Sequence, residues 1–376
     1  MLLNDDQRMI RDAVRAFVSA EIAPHAADWD RDHRFPREAL RGLAELGCFG
    51  ITVPESLGGA GLDTVSQALI LEEIAAGDGA TSTIISVNNC PVCAILQRWG
   101  NAEQHREWLR PLAGGAMLGA FCLTEPHVGS EASGLKTRAR REGDAYVLNG
   151  VKQFITSGKH ADMAIVMAVT DPELGKRGIS AFIVPTSTPG YEVARLESKL
   201  GQHASDTAQI RFVDCRIPAS HLIGEEGQGL KIALSGLEGG RIGIAAQSVG
   251  MARAAFDAAR AYAHERQAFG KPIFEHQAVQ FRLADMATRL EAARQLVWHA
   301  ASLRDAGQPS LTEAAMAKLF ASEAAERICS DAIQIHGGYG YVNDFPVERI
   351  YRDVRVCQIY EGTSDVQRML IGRALA

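Results

Sequence analysis

The sequence predicts an α+β chain with an N-terminal helical domain, a middle antiparallel β-barrel-like domain and a C-terminal four-helix bundle. Three observations predict it. Apolar residues recur at helical spacing up to about residue 118 and again from about residue 228. Between them lie short runs rich in β-branched and aromatic residues, separated by turn signals. The length, 376 residues, suits two or three domains of ordinary size. The expected divisions are 1–118, 119–227 and 228–376.

In the first zone Ile10, Val14, Phe17 and Ile22 share a helical face, and Asn4 or Asp5 can cap its start. Pro54 and the Gly58-Gly59-Ala60-Gly61 stretch form a loop. Thr64–Ala76 and Thr81–Trp99 read as further helices, the second apolar enough to be buried. In the second zone, Tyr146-Val147-Leu148, Phe154-Ile155-Thr156, Ala164-Ile165-Val166 and Phe182-Ile183-Val184 read as strands. Glu142-Gly143-Asp144, Asn149-Gly150, the Gly175–Gly178 stretch and Pro189-Gly190 read as turns between them. In the third zone Leu283, Met286, Leu290, Ala293, Val297 and Ala300 alternate spacings of three and four, the stripe of a bundle helix. The glycines of Gly337-Gly338-Tyr339-Gly340, with Pro346, separate two of its helices.

Composition excludes several classes. The formal net charge is -6 and no long basic run occurs, which argues against nucleic acid as the partner. Seven scattered cysteines do not form a secreted disulfide framework. The start carries neither a signal peptide nor an Arg-rich transit segment. No uninterrupted apolar run reaches the roughly 20 residues that a bilayer requires, so membrane insertion is not expected. A cytoplasmic protein follows.

Phosphate-loop, nucleophile-elbow and zinc-helix motifs are absent, and Gly224–Gly229 does not fit a dinucleotide fingerprint. Cys90-Pro91-Val92-Cys93 is a lone CxxC without a second pair. Redox or metal work and a buried small-residue role both remain open for it, and no metal site is expected.

Five segments are dense in glycine, hydroxyl and amide groups. The first runs from Phe121 through Cys122, Leu123, Thr124 and Glu125 to Ser130, a polar loop after a strand. The second is Asn149 to Gly158, where Phe154 and Thr156 share a strand face, suited to a flat ring or simply to core and surface. The third holds Arg266, Phe269, His276 and Gln277, where an Arg fork suits a pyrophosphate. The fourth is Gln334-Ile335-His336-Gly337-Gly338, where backbone amides can approach a ligand or cap a helix. The fifth is Ile359-Tyr360-Glu361-Gly362-Thr363-Ser364-Asp365. There a carboxylate sits between two helices, and Thr363 or Ser364 can cap the last one. Glu361 reads as a raised-pKa base in a semi-apolar pocket or as an ordinary loop Glu in water.

Together and in this order, the five segments resemble the acyl-CoA dehydrogenase family. Leu123-Thr124-Glu125-Pro126, Gln334–Gly338 and Ile359–Thr363 carry the resemblance, which extends from Asp6-Gln7 to Ile371–Leu375. It implies an FAD-dependent homotetramer that oxidises an acyl-CoA and hands electrons to an electron-transferring flavoprotein. It implies flavin contacts at Cys122, Leu123, Thr124, Ser130, Phe154, Ile155 and Thr156, and again at Thr363, Ser364 and Asp365. Arg266, Phe269, His276 and Gln277, with Gln334, Ile335, His336, Gly337 and Gly338, are implied to reach FAD across a subunit interface. Ser130, Glu238, Gly239, Gly240, Arg241 and Gly362 are implied to contact acyl-CoA, and Glu361 to be the base.

The family commonly has Trp where Phe154 stands and Asp where Glu131 and Glu238 stand. Some members carry the base near position 240, which is glycine here. Ser86-Val87-Asn88-Asn89 resembles short-chain members. The Gly236–Arg241 and Gln280–Ala287 stretches resemble isobutyryl-type members. A straight or branched acyl group of four or five carbons is therefore expected. The rival expectations are an oxidase or monooxygenase on the same scaffold, and a non-catalytic CoA-binding paralogue.

Overall fold

The computed structural model describes residues 2–375. The first helix, Asp5–Phe17, starts with a reciprocal cap: Asn4 Oδ1 accepts from Gln7 N at 2.8 Å, and Gln7 Oε1 accepts from Asn4 N at 3.1 Å. Val14 and Ile22 are buried, while Ile10 and Phe17 pack against the same core from its margin. The helix Thr64–Gly77 is buried almost all round. Its carboxylates Glu72 and Glu73 are buried too, and arginines from three helices answer them. Arg15 meets Glu73 at 2.7 Å, Arg253 meets Glu73 at 2.6 Å and Arg294 meets Glu72 at 3.0 Å. These pairs tie the N-terminal helices to the C-terminal ones.

The single helix expected over Thr81–Trp99 is instead interrupted. Helix Gly79–Val87 passes into a wider turn at Asn88–Cys93, and Cys90 leaves helical geometry (φ -134°, ψ 114°) before Ala94–Trp99 resumes. The cause is Pro91, which has no N–H to donate and forces the preceding residue toward extended backbone. Asn88 and Asn89 occupy the break. Asn88 Nδ2 donates to Phe49 O at 2.9 Å, and Asn89 Oδ1 accepts from Ile51 N at 2.8 Å. By length and composition Gly79–Trp99 could cross a membrane, but it is 89% buried inside the protein, as a core helix is.

The middle zone is an eight-stranded sheet. From one edge its strands are Tyr191–Leu196, Thr207–Pro218, Ala145–Thr156, Arg138–Glu142, Met163–Val169, Ile179–Pro185 and Leu222–Ile223. Gly119–Cys122 joins the side of Met163–Val169. Most pairs are antiparallel, as expected, but Gly119–Cys122 and Arg138 both meet Met163–Val169 in parallel. The edge strands Tyr191–Leu196 and Leu222–Ile223 do not pair with each other, so the sheet is barrel-like without being closed.

Asn149-Gly150 is not the expected turn. One strand runs through it from Ala145 to Thr156, with a register shift between Leu148 and Gly150. Asn149 Nδ2 donates to Asp214 Oδ1 and Asn149 Oδ1 accepts from Asp214 N, across to the neighbouring strand. Gly150 (φ 153°) is required there, because a Cβ would lie 2.5 Å from Thr137 Oγ1.

The last zone is helical: Gly229–Glu265, Gln277–Asp305, Leu311–His336, the shorter Val347–Val354, and Ser364–Ala374. Every residue of the expected stripe from Leu283 to Ala300 is buried. The long helix Gly229–Glu265 packs on both the N-terminal helix Thr64–Gly77 and the bundle helix Leu311–His336, which brings the loop before the last helix onto its flank.

Candidate active site

The loop before the last helix carries the centre of the site. Backbone at Glu361 is left-handed (φ 51°), as is Gly362 (φ 96°), so the chain turns sharply between Gln358 and the helix at Ser364. Thr363 supplies the cap, its Oγ1 accepting from Val366 N at 3.3 Å. The turn throws the Glu361 side chain onto the long helix at Gly240. A Cβ at position 240 would lie 1.8 Å from Glu361 Oε2, so only glycine leaves the carboxylate its seat. A Gly240→Ala chain is expected to push the carboxylate aside, and, if that carboxylate reacts, to lose about 10²-fold in turnover, as ångström-scale misplacement of a reacting group does. Steady-state kinetics with folding confirmed by circular dichroism checks it.

Glu361 is partly exposed as a residue, but its Oε2 is buried and has no hydrogen-bond partner. Burial pushes the carboxyl up to about 7, against the pull of the Arg241 and Lys318 charges. Arg241 is 93% buried by its 7% exposure, and its Nε is likewise unpartnered. Lys318 is wholly buried, and its Nζ donates to Gly362 O at 2.6 Å. Gln367 Nε2 donates to the same oxygen at 2.9 Å.

Behind Glu361, Tyr360 anchors the turn. Its hydroxyl donates to Gln247 Oε1 at 2.8 Å and lies 3.5 Å from Thr83 Oγ1 and from Gln202 Nε2. Gln202 belongs to the loop after Leu200, and its backbone N–H donates to buried Asp353. The loop carrying Gln202 leads into Thr207, which pairs with Thr156. The Glu361 turn is thus braced against the strand that bears Phe154.

The first two segments lie side by side. Gln153 N donates to Thr124 O at 2.8 Å. Lys152, fully buried, donates from Nζ to Leu123 O at 3.0 Å and to Glu125 Oε1 at 2.8 Å. Glu125 also accepts from the backbone of Lys136 and Thr137. Its burial alone pushes its carboxyl up. The Lys152 ammonium and these bonds outweigh burial and hold it below the usual range.

Phe154 is 63% exposed with left-handed backbone (φ 59°), so its ring stands off the sheet, and Thr156 is partly exposed beside it. Cys122 and Ile155 point instead into the sheet core, which leaves only their backbone for a ligand, and Leu123 is nearly as buried. Ser130 and Asp365 are exposed, and Ser364 is buried with an unpartnered Oγ.

The third and fourth segments form a separate patch. Arg266 lies 5.8 Å over the Tyr339 ring, His336 stacks on Tyr262 at 4.4 Å, and Phe269 meets His276 edge-on at 5.9 Å. Arg266, Phe269, Gln277, Gln334, Gly337 and Gly338 are exposed, whereas Ile335 and His336 are buried. Among the described residues no hydrogen bond or ring contact links this patch to Glu361, Phe154 or Leu123.

Sequence reasoning missed Lys152, Lys318, Gln202 and Gln247. A lone Lys inside an apolar strand or helix was the available signal for the first two, since buried lysines require a partner. Gln202 and Gln247 had none. Cys90 and Cys93 are buried, free thiols, and no metal-binding group exists among the described residues.

The unpartnered atoms test what the site could hold. Buried polar atoms are ordinarily bonded, so orphans mark places for a polar ligand. Ser157 Oγ in the second segment, Glu361 Oε2 and Ser364 Oγ in the fifth, and Arg241 Nε beside Gly240 are among them. An exposed ring at Phe154, together with orphaned donors and acceptors at these positions, fits a flat, polar cofactor and a polar substrate.

Comparison with known proteins decides the family. The model of the acyl-CoA dehydrogenase N-terminal domain matches residues 4–116, that of the middle domain 120–215, and that of the C-terminal domain 227–376. The chain belongs to the acyl-CoA dehydrogenase family. It is 47% identical to the mitochondrial short-chain specific acyl-CoA dehydrogenase of Rattus norvegicus over 98% of this chain and 90% of that one. Butyryl-CoA dehydrogenase from Megasphaera elsdenii superposes with a TM-score of 0.97 at 41% identity, covering 100% of this chain and 99% of that chain. A chain solved in work on the electron transferring flavoprotein of Acidaminococcus fermentans gives 0.98 at 46% identity, with 100% and 99% covered. Acyl-CoA dehydrogenases are FAD-dependent oxidoreductases, and the orphaned groups above suit that cofactor.

Proposed function

We propose that this acyl-CoA dehydrogenase converts a short straight or branched acyl-CoA of four or five carbons to the trans-2-enoyl-CoA, with Glu361 as the base. One observation carries the reading: a buried carboxylate with an unpartnered oxygen, seated on a glycine and flanked by unpaired cations. Burial raises the basicity of Glu361 toward neutral pH, where a general base is most effective.

The acyl group lies against Gly240 with its α-carbon at Glu361, which removes the α-proton. The Glu361 backbone N–H has no acceptor among the described residues. It is free to donate to the thioester oxygen and to stabilise the charge that develops there. Bound FAD supplies the two-electron acceptor for the hydride that leaves the β-carbon. Leu123, Thr124, Ser130, Phe154 and Thr156, the backbone of Cys122 and Ile155, and Thr363, Ser364 and Asp365 hold that cofactor in this reading. Glu238, Gly239, Arg241, Ser130 and Gly362 contact acyl-CoA.

The outward patch is read as an interface. Phe269 is 96% exposed, Tyr341 87% and Phe281 62%, an apolar surface that a second copy can cover. We infer a homotetramer in which Arg266, Phe269, His276 and Gln277, with Gln334–Gly338, reach a neighbour's FAD. The physiological acceptor in this reading is an electron-transferring flavoprotein. Seven free, buried thiols are in keeping with a cytoplasmic setting.

Anaerobic mixing of the FAD-loaded enzyme with acyl-CoAs of graded length tests the function. Flavin bleaching fastest at four or five carbons is expected; an unbleached flavin with every chain length sinks the proposal. The pH dependence follows from the same carboxyl. Only ionised Glu361 accepts the proton, so kcat/KM is expected to rise as pH climbs through about 7 and to fall tenfold per unit below it. A flat profile from pH 5.5 to 8 removes Glu361 from the reaction.

A further inference from the structure

We propose that Lys318 is a positioning residue for the base: its buried ammonium anchors the Gly362 carbonyl and keeps the adjoining Glu361 carboxylate in its charged form. This rests on the reading of Glu361 as the base and names a residue that acts through it.

The geometry sets Lys318 apart from an ordinary core residue. Its side chain is 0% exposed, on the buried face of the helix Leu311–His336 among Ala314, Ala315, Ala317, Ala321 and Ser322. No carboxylate lies within ion-pair distance of it among the described residues. Its hydrogen bond goes to a backbone carbonyl, Gly362 O at 2.6 Å. Burying an ammonium without a paired acid is costly, and an apolar residue of the same length would fill the space without that penalty. The carbonyl it holds belongs to the residue after the base, in the left-handed turn that aims Glu361 at Gly240. The amine therefore fixes the turn, and its charge acts on the one buried carboxylate beside it.

The surrounding groups leave that task to two cations. Arg241 acts on Glu361 from the long helix as the other positive charge that favours the ionised base, and Glu238 acts on Arg241. Cys90, Cys357 and Tyr360 are pushed up by burial and stay neutral around pH 7, and Arg304 acts on the Cys90 thiol. Burial also draws Lys318 down to about 8, against the pull of the Glu361 charge, which leaves it mostly protonated at pH 7.

Infrared difference spectroscopy of the carboxyl band, assigned by its loss in Glu361→Gln, tests this independently of turnover. In Lys318→Met the Glu361 titration is expected to move upward by about one pH unit or more, because a nearby unit charge has been removed from a partly buried site. The acid limb of kcat/KM should move with it, and Lys318→Arg should restore both to within about 0.3 unit, since the charge is kept. A titration unmoved in Lys318→Met overturns the inference, even if the variant is slower or melts earlier. Should that variant not accumulate folded, Lys318→Gln takes its place with the same two outcomes, because it keeps a donor and loses the charge. If instead Glu361→Gln turns over normally, the base assignment fails while the titration shift still reports on Lys318.

Discussion

A Glu361→Gln enzyme is expected to bind FAD and acyl-CoA and to lose turnover by at least about 10²–10⁴-fold, the usual contribution of a general base. The amide has the shape of the carboxylate, so the seat on Gly240 is still filled. It cannot take a proton. Nor does the substitution break a contact at Oε2, which has none. Steady-state assay beside a binding titration separates the two effects; undiminished kcat would rule out Glu361 as the base.

Stability should move the other way. Burial raises the folded-state carboxyl from an ordinary value near 4.5 to about 7. The folded protein then holds more protons than the unfolded chain between those values, and the stabilisation present at low pH is lost as pH rises through 7. The neutral amide escapes that loss, so Glu361→Gln is expected to melt higher than the parent at pH 8 and to gain little at pH 5.

The second large effect is expected at Lys152. In Lys152→Met, Glu125 remains buried without its lysine partner, with only the His127 ring 3.7 Å away, and breaking such a pair costs about 3–5 kcal/mol in comparable sites. The lowered midpoint of urea denaturation reads this directly. The same change frees Leu123 O and loosens the loop from Leu123 to Ser130, so the variant should also release FAD more readily on dilution. Adding Glu125→Gln should recover part of the loss. The amide oxygen still accepts from the Lys136 and Thr137 backbone while the unpaired charge is gone. Unchanged stability in the single variant would mean that the pair contributes nothing.

Much of the fold was legible because periodic signals are local. The stripe from Leu283 to Ala300 needed only its three-and-four spacing, and each member is buried. Of the two cap candidates, Asn4 and Asp5, the structure uses Asn4. Asn149-Gly150 misled because its partner is not local: Asp214, on the neighbouring strand, takes both amide groups and turns a hairpin signal into a bulge. Pro91 was visible, but the helical pattern around it concealed how far Cys90 departs. Glu361, between Tyr and Gly, read as a base or as a loop Glu in water, and only the family resemblance singled it out. Lys318 and Lys152 did not stand out, since their partners lie 44 and 27 residues away and a single Lys in an apolar run has no periodicity. Cys122 and Ile155 sit in strands whose inward face only the assembled sheet defines.

The contact between Glu361 and Gly240 has an evolutionary corollary. Two stretches of backbone, far apart in sequence, converge so closely that one side chain fills the space between them. Any side chain grown from position 240 competes for the space that the residue at 361 already fills. An acid placed at 240 would have to displace the one at 361, so a chain bearing acids at both should be crowded rather than doubly equipped.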